Sequence, residues 1–118
     1  MKYRQFGNKF IVRIDKGEEI VAVLKRFCQE MGISLGTVAG IGATNKATIG
    51  IFANKKYHPK EFKGDFEICS VNGNISTMKG EVYLHLHAML SDKKLRCFGG
   101  HLNSAIVSGT FEGVIEVI

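Results

Sequence analysis

The sequence predicts an α+β domain, grouped with α/β in some schemes: a mainly antiparallel sheet of about seven strands carrying one main helix. Three observations predict it. Apolar and polar residues alternate in two runs, with Phe10, Val12 and Ile14 on one side of the first and Val82, Leu84, Leu86, Ala88 and Leu90 on one side of the second. That is the period-two pattern of a strand with one buried face. A single stretch repeats its apolar residues at helical spacing, at Ile20, Val23, Leu24, Phe27, Cys28 and Met31. The segments are joined mostly by short, turn-like links.

The 118 residues make one domain, 1–118, long enough for a real core. No segment has the apolar length of a membrane span, and Met1-Lys2-Tyr3-Arg4-Gln5-Phe6 lacks the hydrophobic region of a signal peptide. The expectation is a cytoplasmic protein without a membrane partner. Cys28, Cys69 and Cys97 are odd in number and form no CxxC pair, which fits a reducing compartment better than a disulfide frame. Their apolar strand or helix surroundings, and the absence of a Gly-x-Ser-x-Gly elbow, leave no candidate nucleophile.

In chain order, Lys9–Asp15 is a half-buried strand. Asp15-Lys16-Gly17-Glu18 resembles a capping box that opens the helix, and Gly32 stops it. The glycine-rich run from Gly36 to Lys46 is no phosphate cradle. A dinucleotide fingerprint would need a glycine where Asn45 stands, and the Gly-Lys-Ser/Thr of a P-loop is missing. A strand followed by a turn is the expected use. Residues 47–53 and 66–71 read as strands, joined by a basic segment in which His58, beside Pro59, is a loop residue. Lys55, Lys56, Lys60 and Lys63 form a loose basic cluster, either a solvated face or a place for phosphate. Asn72-Gly73 signals a turn or sharp bend, with 74–77 extended beyond it. The last run, 106–118, ends in Val114-Ile115-Glu116-Val117-Ile118, too apolar for an uncovered edge and so expected to be paired or buried, between subunits in one version.

Three of the four histidines fall in Tyr83-Leu84-His85-Leu86-His87-Ala88-Met89-Leu90 and in Phe98-Gly99-Gly100-His101-Leu102. His85 and His87 lie opposite the apolar face, roughly 7 Å apart along the strand. With Ser91-Asp92-Lys93-Lys94 as the turn, Ser91 opposes Leu95, Leu84 opposes Leu102, Ala88 opposes Phe98 and His85 opposes His101. Gly99 then faces His87, and Cys97 joins the histidine face opposite Met89. A slip of one residue would put His101 among the leucines, so the apolar pattern argues for a cluster. The alternative is three hydrogen-bonded, metal-free histidines on a solvated or intersubunit face.

Four short stretches, in this order and spacing, carry a likeness: Gly40-Ile41-Gly42-Ala43; Gly64-Asp65-Phe66-Glu67-Ile68; His85-Leu86-His87-Ala88 with Leu90-Ser91-Asp92; and Gly99-Gly100-His101-Leu102. The chain resembles the plants-and-prokaryotes conserved (PPC) domain family over nearly its whole length. The resemblance implies a compact, mainly antiparallel α/β fold assembled as a homotrimer. It also implies a metal, usually taken as zinc, on His85, His87 and His101. In plants the domain accompanies AT-hooks of DNA-binding regulators; the Arg-Gly-Arg core of that hook is absent here, and the one proline is Pro59. The plant partner-binding motif Gly-Arg-Phe-Glu-Ile carries over to Gly64, Phe66, Glu67 and Ile68, with Asp65 in place of arginine.

Three neutral imidazoles suit a borderline ion such as Zn²⁺ and leave a coordination position open. Acid–base chemistry there would need a carboxylate, for which Glu67, Glu81 and Asp92 are the candidates, each equally able to hold a ligand histidine's second nitrogen or simply to be solvated. Three function classes follow: a metal-binding trimeric module with a structural ion or a small anionic ligand; a DNA-binding or transcription-associated regulator; and a metal-dependent hydrolase or lyase.

Overall fold

The computed structural model describes residues 1–118. Six strands and one helix follow one another as β1 (Lys2–Phe6), β2 (Lys9–Asp15), α1 (Ile20–Met31), β3 (Gly36–Ala53), β4 (Lys56–Met78), β5 (Glu81–Ser91) and β6 (Cys97–Val117). All strand pairings are antiparallel, in the order β1-β2-β6-β3-β4-β5, and β6 returns to pair with β5. The strands β6, β3, β4 and β5 thus close into a small barrel, and β2 and β1 extend it beyond β6. Closure leaves fewer open edges for unwanted pairing. No helix is long and apolar enough to cross a membrane.

The alternation expected for β2 holds: Phe10, Val12 and Ile14 are buried and their neighbours Ile11 and Arg13 are not. On β5, Leu84, Leu86, Ala88 and Leu90 are buried, with His85, His87 and Met89 on the opposite, exposed side. The helix packs against β5 and β6 and adds Ile20, Val23, Leu24, Phe27 and Cys28 to one continuous core. Burial pushes the Cys28 thiol up to about 11, which keeps it un-ionised and inert. Met31 falls outside that stripe and is exposed.

The helix begins four residues later than a capping box with Asp15 as the cap suggests. Glu18 does accept the Asp15 backbone N–H, at 2.9 Å. The cap itself is Glu19, whose carboxylate accepts the Val21 and Ala22 N–H groups at 2.9 Å each. It also accepts the Ala105 N–H at 2.9 Å, tying the helix N-terminus to β6. Gly32 ends the helix in the left-handed region, φ +69°, as expected.

Several predicted breaks are instead strand interior, which is why about seven strands become six. The glycine-rich run contains no turn; it is the first half of β3, bent where the register shifts between Gly40 and Gly42 and between Thr44 and Lys46. Likewise, Asn72-Gly73 lies in the middle of β4, opposite His87 and Leu86. Gly73 is needed for closeness rather than for turning: a Cβ there would meet the His85 carbonyl and lie 2.8 Å from the Leu86 Cα. The β3–β4 turn is Asn54-Lys55, both at positive φ (+52° and +63°), the geometry of a tight two-residue hairpin. His58 is therefore a strand residue, paired with Ile51, rather than a loop residue. Pro59 is tolerated because this half of β4 has β3 as its neighbour on one side and no partner on the other. The N-terminal strand β1 carries no clear alternation and was not foreseen; it is held by its hairpin with β2 around Gly7.

The β5–β6 register differs by two residues from expectation. Ser91 opposes Cys97, Leu90 opposes Phe98, Met89 opposes Gly99 and His87, not His85, opposes His101. A longer turn causes the shift: the Asp92 carboxylate accepts the Lys94 and Arg96 N–H groups at 2.9 and 3.1 Å, and Leu95 leaves the strand at φ +63°. An even slip keeps every side chain on its face, so the cluster survives. The apolar C-terminal run is paired within the chain, between β2 and β3, with Ile115 fully buried.

Candidate metal centre

Strand β5 presents His85 and His87 two residues apart on its outer face, and β6 brings His101 directly opposite His87. Ring centroids lie 5.3 Å apart for His85 and His87, 5.4 Å for His85 and His101, and 5.9 Å for His87 and His101. One ligand nitrogen from each ring can be chosen so that all lie within 4.8 Å of one another. His85 and His87 are exposed and His101 is half-buried. The His101 pKa is held below the ordinary histidine value, first by burial and then by the charges of His85 and His87.

The backbone behind these rings is glycine because the strands approach closely. Gly100, beside His101, sits with its missing Cβ 3.2 Å from the Ile49 side chain, and Gly50, opposite His101, is covered by the Tyr57 ring. Tyr57 meets His101 edge-on, with centroids 5.6 Å apart, and its hydroxyl donates to the Asn103 Oδ1. Burial raises the Tyr57 pKa, and the bond to Asn103 opposes that rise. The tip of the β3–β4 hairpin, with Ile51 and Phe52, continues this wall, and Tyr83 lies beside His85 at 6.1 Å. Together they line an open cavity of about 680 Å³ in which no Asp, Glu, Lys or Arg takes part.

The three carboxylates stand elsewhere. Glu81 lies 4.0 Å from Lys25 of the helix, at the far end of β5. Asp92 organises the β5–β6 turn; the backbone N–H of Arg96 above all, then that of Lys94 and the Arg96 side chain at 3.1 Å, hold its carboxyl below the usual range. Glu67 pairs across from Ser91, on the part of β4 remote from the histidines. None of them lines the histidine cavity, because each stands four or five positions along the strands from the nearest histidine, at roughly 3.3 Å per position. Cys97 is likewise outside the cavity, opposite Ser91, and His58 turns its Nε2 to the Ala53 carbonyl at 2.9 Å.

The Gly64 to Ile68 motif has a structural basis of its own. Ile68 is core, and Phe66 joins Phe62 and Phe98 in an aromatic cluster with centroids 4.6 to 6.3 Å apart. Gly64 sits at φ +139°, and Asp65 lies 3.9 Å from Lys93. Lysines of the basic cluster are partly occupied: Lys63 is 3.5 Å from Glu61, and Lys60 lies over the Phe62 ring. Tyr83, two residues before His85 on the same face, was within reach of sequence reasoning. Phe52, Tyr57 and Asn103 were not, because only the hairpin register brings them to the histidines.

A family model described as the Plants and Prokaryotes Conserved (PCC) domain matches residues 1–118. No curated protein matches the sequence. Among solved structures, a candidate DNA-binding protein from Bacteroides thetaiotaomicron is 42% identical, with a TM-score of 0.95, covering 98% of this chain and 82% of that one. A plant- and prokaryote-conserved protein from Pyrococcus horikoshii is 30% identical, with a TM-score of 0.88, over 99% of this chain and 82% of the other. A metal-containing protein from Archaeoglobus fulgidus is 30% identical, with a TM-score of 0.86, over 99% and 85%.

Proposed function

Because the chain belongs to the Plants and Prokaryotes Conserved domain family, we propose that it is a homotrimeric metal-binding module whose three histidines hold zinc or a similar divalent ion. The observation that carries this is the convergence of three ligand nitrogens within 4.8 Å. In a tetrahedral zinc site, ligand nitrogens lie about 3.4 Å apart, so side-chain rotation would have to draw these nitrogens closer on binding an ion. The donor set fits: three imidazoles, one of them favoured in its neutral form, with no cation in the cavity to repel an ion. The 30%-identical metal-containing structure supports the same proposal.

Three protein ligands would leave a position for water or a small ligand. No carboxylate reaches the cavity to move a proton, so binding is favoured over hydrolysis or lyase chemistry. Trimer formation is supported by the exposed apolar side chains Ile11, Ile41 and Val114, which share an outer depression of about 460 Å³ with Ala39.

Metal analysis of protein purified without a histidine tag tests the centre. One divalent ion per chain is expected, lost from His101→Ala while light scattering still finds three times 13.0 kDa. Protein that takes up no zinc, or a variant that retains it fully, would overturn the metal centre; a monomeric mass would overturn the trimer.

A second proposal, DNA binding, draws on the 42%-identical candidate DNA-binding structure and the net charge of +5. Duplex affinity should then fall steeply with salt, with a log–log slope near −0.9 per phosphate contacted. A flat salt profile would remove it.

A further inference from the structure

We infer that the cavity over the histidines is shaped for a small aromatic carboxylate, an inference that rests on the metal centre proposed above. Its chemistry is divided in two. At one end stand three imidazoles that are uncharged as ligands, so a divalent ion there would keep its full charge. No Asp or Glu in the cavity offsets it. An anion is therefore the natural occupant of that end.

The remaining walls select among anions. Phosphate is usually gripped by Arg, Lys, a helix N-terminus or a nest of backbone N–H groups. Here the lining contains no Arg or Lys and comes entirely from strands β3 to β6 and their hairpin. It offers instead Ile51, Phe52, Tyr57 and Tyr83, with Phe52 72% and Ile51 64% exposed. These are large apolar groups left in water at the mouth of a cavity, where a planar apolar body would cover them. Asn103 completes the arrangement. Its Oδ1 is taken by the Tyr57 hydroxyl, and its Nδ2 meets no acceptor in the protein, so its N–H is available to a carboxylate oxygen. A cavity of about 680 Å³ is far larger than a lone water or acetate needs and falls within the range of small-molecule sites.

Benzoate is a suitable probe, with acetate, benzyl alcohol and inorganic phosphate as its comparisons, on protein loaded with cobalt(II). The visible absorption of cobalt reports changes at the histidines, and on zinc-loaded protein the side-chain amide resonance of Asn103 reports the carboxylate oxygen it would donate to. Benzoate should perturb both at concentrations about tenfold below acetate, because its ring adds buried apolar area. Benzyl alcohol and phosphate should bind more weakly than benzoate. Phe52→Ala, a change at an exposed side chain, should weaken benzoate by about fivefold and leave cobalt uptake and acetate unchanged. Cobalt uptake with benzoate no tighter than acetate, with phosphate tighter than benzoate, or with Phe52→Ala indifferent, would overturn the carboxylate site alone. Failure to take up cobalt at all would overturn the metal centre and this site with it.

Discussion

Gly73→Ala should be among the most damaging single-methyl additions in this chain. The new Cβ would press on the His85 carbonyl and lie 2.8 Å from the Leu86 Cα and 2.9 Å from the His85 carbonyl carbon. All three are backbone atoms of β5, so no side chain can swing aside; the β4–β5 ladder itself must open. Overpacking of this kind costs about 1–3 kcal/mol, and a clash confined to backbone belongs at the upper end. Alanine also lowers the entropy of the unfolded chain, which returns about 0.4–1 kcal/mol. The net is a loss of about 2 kcal/mol, or roughly 8 °C in Tm at about 4 °C per kcal/mol for a domain of this size. Gly109→Ala is the control, since nothing lies within 4 Å of its Cβ position and its φ is ordinary; it should gain about 2–4 °C. Thermal unfolding followed by far-UV circular dichroism compares them directly. A Gly73→Ala protein melting within 2 °C of the parent would refute the close approach of β4 and β5 behind the histidines.

Two further outcomes follow from other contacts. Glu19→Ala removes the helix cap and the acceptor of the Ala105 N–H together and should cost about 1–3 kcal/mol, read by urea unfolding, with Glu19→Gln recovering part of it. The pH dependence of the metal-free protein has a definite sign. Because folding lowers the His101 pKa below its ordinary 6.5, the unfolded chain binds more protons within that window, and stability rises with pH through it. Melting temperature should therefore fall as pH drops from about 7 toward 5, a trend reduced in His101→Ala; metal uptake should weaken in the same direction, since protons compete for the ligand nitrogens.

What the sequence determined by itself was everything that depends on parity and short-range period. Alternation placed Val12 and Ile14 inside and His85 and His87 outside, and helical spacing with Gly32 bounded the helix at its C-terminal end. Because a slip of one residue would have put His101 among the leucines, it had to face outward with the other two, whatever even change the turn made.

The tertiary structure decided what parity leaves open. The partner of His101 is His87 because the Asp92 carboxylate organises a turn two residues longer than local composition suggested. The glycines at 40, 42 and 73 look like turns in isolation, yet they lie inside long strands, since their role is to let a neighbouring backbone come near, and a neighbour distant in sequence leaves no local trace. The same holds for Phe52, Tyr57 and Asn103, which reach the histidines only through the pairing of β3 with β4 and β6. Local chemistry chose the face on which the centre stands, and long-range strand pairing chose what surrounds it.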